Sequence, residues 1–244
     1  MARERLDVLV LSSGLAETRQ RAQALIRAGK ILVNDTVVDK PGTRIAVDAI
    51  LRLKGAPLKY VSRGGHKLEG ALDHFGVDPG SRICADLGAS TGGFTDCLLQ
   101  RGAAKVYAVD VGYGQLAWTL QTDPRVVIMD RTNARHLEAF PEQPGLVVGD
   151  LSFISLTLIL PAIQRFAPST ECVLLIKPQF EAGPGGVKGG RVRSPAVRAA
   201  AIERIVSAAQ DQGATVHGTV PSSLPGAKKR NLEELIHLTL PAQG

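Results

Sequence analysis

"ADLGASTGGFTDCLLQRGAAKVYAVDVG", residues 85–112, runs from an apolar pair through a glycine-studded turn and a helix into a second apolar segment. Ile83, Cys84 and Ala85 read as a short strand with Asp86 at its carboxyl end, and Gly88, Gly92 and Gly93 as places where backbone passes close to a ligand. Phe94 to Arg101 is the expected helix, Gly102 its end, and "KVYAVD" a second strand tipped by Asp110. This is a βαβ unit with a carboxylate where the ribose diol of a nucleoside would lie. The glycine spacing departs from Gly-x-Gly-x-x-Gly, which disfavours a dinucleotide.

The pattern continues toward the carboxyl terminus. "RVVIMDRTNAR" predicts a third strand ending in Asp130 and Arg131, "GLVVGDLSFISL" a fourth with Asp150 at its end, and "ECVLLIKPQFE" a fifth ending at Lys177 and Pro178. Ser194-Pro195 opens a helix, and "ATVHGTV" and "NLEELIHLTL" complete the sheet. Alternating strands and helices specify an α/β fold of Rossmann-like type with a mainly parallel sheet and its site at the carboxyl ends of the strands.

Working toward the amino terminus, the composition changes. Residues 1–67 hold 13 Lys and Arg against 6 Asp and Glu, whereas residues 68–244 hold 16 against 17, so the whole net charge of +6 comes from the first quarter. A basic module on a near-neutral body suits a polyanion partner, since cationic side chains gain affinity by releasing counterions from phosphates. Within it, Thr18 is a plausible cap for a helix carrying Ala22, Leu25 and Ile26, and Gly29 stops that helix. Ile31 and Val33, then Asn34-Asp35, then Val37-Val38 read as a tight hairpin closed by Pro41-Gly42. The combination resembles the small α+β, S4-like RNA-binding domain shared by a small-subunit ribosomal protein, many pseudouridine synthases and several tRNA synthetases. That resemblance implies that Arg19, Arg21, Arg27 and Lys30 contact RNA phosphates. The expected organisation is an RNA-binding domain over 1–55, a linker over 56–62 marked by Pro57, and a second domain over 63–244, with Ser62 capping its first helix.

At 244 residues and 44% hydrophobic content, the chain can bury one substantial core and a smaller one. Cys84, Cys97 and Cys172 show no Cys-x-x-Cys and are expected as buried reduced thiols, with no metal site. The longest apolar stretch, "FISLTLILPAI", is far short of the ~20 residues that span a bilayer, so a cytoplasmic protein without membrane attachment is expected. Nothing in the chain bears on its oligomeric state.

Four polar residues fall at ends of predicted elements: Lys67 near the start of the second domain's first helix, Asp150 after the fourth strand, Lys177 after the fifth, and Glu233 beginning the last. Their contexts, "SRGGHKLEGAL", "VGDLSFISL", "LLIKPQFE" and "KRNLEELIHL", resemble the Lys-Asp-Lys-Glu tetrad of FtsJ-type ribose 2′-O-methyltransferases. "DLGASTGGFT" likewise resembles motif I of S-adenosylmethionine-dependent methyltransferases. The whole order looks like the TlyA family of ribosomal RNA methyltransferases, whose members are also called hemolysins. What this implies is methyl transfer from S-adenosylmethionine to a cytidine 2′-hydroxyl in ribosomal RNA, free or in ribosomal subunits, with the subunit left open. It implies Asp86 near the methionine amino end, Gly88 and Ser90 under the ligand, Asp110 on the ribose, and Asp130 and Arg131 toward the adenine, with Gly92, Gly93 and Phe94 completing the cofactor set.

A ribose hydroxyl is a poor nucleophile, so in-line attack on a sulfonium methyl needs alignment and a destination for the proton. The sulfonium already activates the methyl, so no metal is required. Lys177 is expected to receive or steer that proton. A free lysine has a pKa of about 10.4, so acting as a base needs help from burial or from Lys67, while Asp150 and Glu233 act in the opposite sense. Both a true base and a positioned hydrogen-bond partner fit the residues. Between Glu181 and Ser194, the glycine-rich "AGPGGVKGGRVR" carries Lys188, Arg191 and Arg193 and is expected to be a mobile flap that grips RNA. The alternative class is a non-catalytic RNA-binding or ribosome-assembly factor that retains a nucleoside-binding fold; a directly membrane-active toxin lacks the amphipathic basic helix it would need.

Overall fold

A computed structural model of the chain describes residues 3–55, 59–183, 185–226 and 231–242. The chain divides into two compact units after Lys59. Residues 56–58 of the expected linker, Pro57 among them, lie outside the described residues. Tyr60, expected in that linker, is instead 2% exposed in the core of the second unit.

The first unit comprises β1 (Arg3–Arg5), α1 (Leu6–Ser12), α2 (Arg19–Arg27), β2 (Ile31–Val33), β3 (Thr36–Val37), β4 (Arg44–Ala46) and β5 (Leu51–Leu53). Thr18 caps α2, its hydroxyl accepting the Arg21 N–H at 3.1 Å. The helix buries Ala22 and Ile26 with Leu6 and Val10 of α1 and Ile31 and Val33 of β2. Asn34 and Asp35 take φ of +48° and +66°, the left-handed pair that a two-residue hairpin turn between β2 and β3 requires. Asp7, which carries no signal in the sequence, is fully buried, and its carboxylate accepts from Arg5 Nε (2.9 Å), Arg19 Nε (2.9 Å) and Gln23 Nε2 (2.8 Å). Arg5 foremost, with Gln23 and Arg19, holds this carboxyl well below the usual carboxylate range against the opposing effect of burial. Arg19, expected only as a phosphate contact, therefore also closes an internal ion pair.

The second unit is a seven-stranded sheet with helices on both faces. Its strands are β6 (Ile83–Leu87), β7 (Lys105–Val109), β8 (Val126–Met129), β9 (Leu146–Gly149), β10 (Glu171–Ile176), β11 (Thr215–Pro221) and β12 (Glu234–Thr239), arranged β11-β12-β10-β9-β6-β7-β8. The five from β10 to β8 are parallel, and β12 runs antiparallel to both of its neighbours. Successive residues of the central strands alternate between two cores: Cys84, Val148 and Val173 pack with α3 (Gly64–Phe75) and α4 (Gly93–Gln100), while Ala85, Val147 and Leu174 pack with α6 (Leu156–Phe166) and α8 (Pro195–Asp211). Burial on both faces explains why these strands read as continuous apolar runs. The three cysteines are buried and free.

Several boundaries differ from expectation. β6 continues to Leu87, which puts Asp86 inside the strand. The α4 helix begins at Gly93, one residue early, and Glu233 precedes β12. The cap position of α3 is Arg63; Ser62, one residue earlier, accepts the Gly64 N–H at 3.3 Å.

Candidate active site

The strand order reverses direction at β6: the chain leaves β6 for β7 on one side, and β9 pairs on the other. Loops leaving adjacent strands diverge there and open a crevice at the carboxyl ends. Carboxylates stitch those loops together. Gly88 and Ala89 N–H groups both donate to Val109 O, at 2.8 and 3.0 Å. Asp110 Oδ2 accepts the Ser90 N–H at 2.8 Å and its Oδ1 the Gly112 N–H at 2.7 Å, leaving one acceptor direction on each oxygen for a further donor. Asp130 Oδ2 accepts the Gly114 N–H at 2.8 Å, and Arg131, at φ +52°, lays its guanidinium 4.5 Å from the centre of the Tyr113 ring.

Two of the glycines are also closely packed by the protein. A Cβ on Gly92 would collide with Leu120, and one on Gly93 would collide with Ser62 Oγ and stand 2.9 Å from Gly65 N. Both positions are small where α4 docks. Gly88, at φ +82°, brings the loop within 3.1 Å of the Asp150 carbonyl, measured from where its Cβ would be. Phe94 is 3% exposed and packs in the core.

Asp86 is completely buried beneath this loop. Its Oδ2 accepts from Thr95 N–H (2.9 Å) and Thr95 Oγ1 (2.7 Å), while Oδ1 is buried with no hydrogen-bond partner among the described residues. Burial pushes its carboxyl up to about 7, Thr95 opposes this, and the nearby Asp150 and Asp110 charges add to the rise. Asp110 and Asp150 therefore lie close enough for their charges to act on Asp86.

Beside that region the tetrad residues form two ion pairs. Lys177 Nζ lies 2.5 Å from Asp150 Oδ1, 3.3 Å from Asp150 O and 2.8 Å from Ser152 Oγ. Lys67 Nζ lies 2.5 Å from Glu233 Oε2. Both lysines are nearly buried. Register ties the pairs together: Leu174 faces Gly149 and Ile176 faces Glu234, so Asp150 and Lys177, just after β9 and β10, and Glu233, just before the antiparallel β12, lie at one edge of three adjacent strands, ~5 Å apart strand to strand. Lys67 reaches the same edge from α3.

Two supporting residues were not foreseen from the sequence. Glu181, at the end of the short helix α7 (Pro178–Glu181), is 2% exposed and accepts Leu156 N–H at 2.9 Å and Ser155 Oγ at 2.6 Å, fixing the loop that carries Asp150 and Ser152. Burial pushes its carboxyl upward. Phe153, in that loop at φ +66°, is 89% exposed with its ring 5.2 Å from that of Phe180. The only signal for either was membership of a loop following a strand. Tyr113, on the loop after β7, and Trp118, at the start of α5 (Trp118–Gln121), are also more than two-thirds exposed. Arg21, Arg27 and Lys30 lie in the first unit, and Lys188, Arg191 and Arg193 are exposed on a hairpin in the second. That hairpin is fastened to Asn231.

Comparison with known proteins agrees with this architecture. Residues 60–237 match the FtsJ-like methyltransferase family and residues 4–51 the S4 domain. The 16S/23S rRNA (cytidine-2'-O)-methyltransferase TlyA of Mycobacterium tuberculosis is 48% identical over 229 residues, covering 92% of this chain and 85% of that protein. Hemolysin A of Brachyspira hyodysenteriae is 43% identical over 242 residues, covering 97% and 100%. A solved structure of a hemolysin-named protein from Streptococcus thermophilus superposes with a TM-score of 0.76 at 44% identity, covering 99% of this chain and 90% of that one. Among the described residues no helix is long and apolar enough to cross a membrane.

Proposed function

Because the chain belongs to the FtsJ-like methyltransferase family and carries an S4 domain ahead of that match, we propose that it transfers a methyl group from S-adenosylmethionine to the 2′-hydroxyl of a cytidine ribose in ribosomal RNA. It acts in the cytoplasm on ribosomal RNA or subunits, anchored by the domain ending near residue 55 and catalysing through the domain from residue 63. The observation that carries this reading is the alignment of Asp150, Lys177 and Glu233 on three neighbouring strand ends, with Lys67 closing on Glu233.

The crevice suits the cofactor. The unpartnered Oδ1 of Asp86, with Asp110 and Asp150 close enough to raise its carboxyl, fits a cationic ligand, and the free acceptor directions of Asp110 fit a ribose diol. Asp86, Gly88, Ser90 and Asp110 would hold it, with Asp130 and Arg131 toward the adenine. When bound, S-adenosylmethionine supplies an electrophilic methyl on sulfur. The chain's own residues then have two tasks. Lys177, which donates to Asp150 O and Ser152 Oγ and forms an ion pair with Asp150 Oδ1, steers the 2′-hydroxyl. Ser152 is its one neutral side-chain partner, a hydroxyl that the ribose hydroxyl would replace. Asp150 fixes Lys177, and Glu233 fixes Lys67 against the ribose. Phe153 offers its exposed ring to the base, since stacking contributes ~1–3 kcal/mol per base.

The test is transfer of label from methyl-labelled S-adenosylmethionine to unmodified ribosomal RNA, to each subunit and to whole ribosomes. Label in RNA is expected; none in any of these would leave the non-catalytic RNA-binding reading in possession.

A further inference from the structure

Beyond α7 the glycine-rich segment is a tight hairpin. Lys188 N–H donates to Arg191 O at 3.0 Å and Arg191 N–H to Lys188 O at 3.2 Å, across Gly189 and Gly190 at φ +59° and +77°. Two residues that exchange both hydrogen bonds carry their side chains on one face, so Lys188 and Arg191 project together. Both are exposed, as is Arg193.

What holds this hairpin comes from far along the chain. Asn231 is 5% exposed; its Oδ1 accepts the Val192 N–H at 3.1 Å and its Nδ2 donates to Gly190 O at 2.9 Å. One amide thus grips both backbone polarities of the hairpin's return arm, as a neighbouring strand would. The backbone of Asn231 leads the other way. Its carbonyl accepts the Gly226 N–H at 2.9 Å, and Gly226 sits so close to Glu233 that a Cβ there would stand 2.5 Å from Oε1. Two residues after Asn231, Glu233 takes Lys67 Nζ at 2.5 Å.

A buried amide is stable only with its polar atoms paired, and here both are spent on the hairpin, so lifting the hairpin orphans Asn231 and loosens what surrounds Glu233. We infer that Asn231 is a positioning residue that transmits the seating of RNA on Lys188 and Arg191 to Glu233 and Lys67, so that the tetrad is set only when the hairpin is docked. This deepens, and rests on, the tetrad reading proposed above.

A thermodynamic cycle on the full-length protein tests it, because spatial continuity alone does not establish coupling. Asn231→Ala is combined with Lys188→Ala/Arg191→Ala, and single-turnover transfer at saturating RNA is measured with cofactor affinity and melting temperature. Loss of two hydrogen bonds predicts a rate lower by roughly tenfold to a hundredfold with cofactor affinity retained. The lysine and arginine replacements should slow the wild type but slow the Asn231→Ala protein no further. Asn231→Asp keeps the acceptor for Val192 but turns a carboxylate oxygen toward Gly190 O, so its rate relative to wild type should recover as pH falls and the acid gains a proton to donate. Additive effects, wild-type rates in Asn231→Ala, or a flat Asp-to-wild-type ratio across pH would overturn the coupling. Failure of the underlying reading is separately visible as a wild type that transfers no methyl. Amide exchange of residues 231–236 on RNA binding then decides the coupling: protection lost in Asn231→Ala supports it, and equal protection in both proteins refutes it.

Discussion

Replacing Asp86 by asparagine tests how the crevice is prepared for a cation. Asp86 has no exposure, one oxygen held by Thr95 and the other unpartnered, and burial pushes it up to about 7 from the ordinary 3.8. At ~1.4 kcal/mol per pH unit, keeping this group ionised costs the cofactor-free fold about 4 kcal/mol. The sign follows from the raised folded-state value: the native form holds the proton more tightly than the unfolded chain. Asp86 therefore stabilises most below pH 3.8, loses that contribution as pH rises to about 7, and is level above. The asparagine amide keeps an acceptor for Thr95 and has no proton to lose. Without cofactor at pH 8, Asp86→Asn should be more stable than wild type by up to about 4 kcal/mol, and the two should converge near pH 4. Cofactor binding should reverse the ranking. The wild type should release up to about half a proton on binding at pH 7, seen by calorimetry in buffers of different ionisation enthalpy, whereas Asp86→Asn should release none and bind at least tenfold more weakly. Parallel stability curves for the two proteins, or undiminished affinity in the variant, would refute this reasoning.

Lys177→Ala and Lys177→Arg should retain cofactor and RNA binding but lose single-turnover transfer, since arginine's planar fork does not reproduce a point donor among Asp150 and Ser152; near-normal transfer by either would remove Lys177 from the chemistry. The isolated unit from residue 60 onward contains both large cores, so it should bind cofactor yet lose RNA affinity, its salt slope falling by about 3 if Arg19, Arg21, Arg27 and Lys30 meet phosphates. Asp7→Asn adds one positive charge to the RNA-binding unit and should nonetheless weaken RNA, because Arg5 and Arg19 lose the carboxylate that orients them; tighter binding in a filter assay would show that Asp7 only offsets charge.

How much of this was legible in the sequence depended on whether a residue's role is set locally. The strand ends were readable because Asp110, Asp130, Asp150 and Lys177 each end an apolar run, and the β2–β3 hairpin because Asn34-Asp35 tolerates positive φ. Asp86 was read one layer too shallow: a carboxylate inside a strand that is covered on both faces looks, in sequence, like one at its tip. The pattern could not show that Leu116, Leu120 and Ser62 pack against Gly92 and Gly93. Asp7, Glu181 and Asn231 were missed for a common reason. Each depends at least in part on partners that only folding brings near, Asp7 on Arg19 and Gln23 and Asn231 on Gly190, 41 residues back. The pairing of Lys67 with Glu233 spans 166 residues, and family resemblance alone brought it into view.

The central claim is that this chain methylates a cytidine ribose, and the position of the methyl decides it. Ribosomal RNA treated with the protein and S-adenosylmethionine should be digested to nucleosides and resolved by mass spectrometry against untreated RNA. The account predicts a gain of 2′-O-methylcytidine, abolished in Lys177→Ala. A methyl on a base, on another nucleoside, or on none would contradict it.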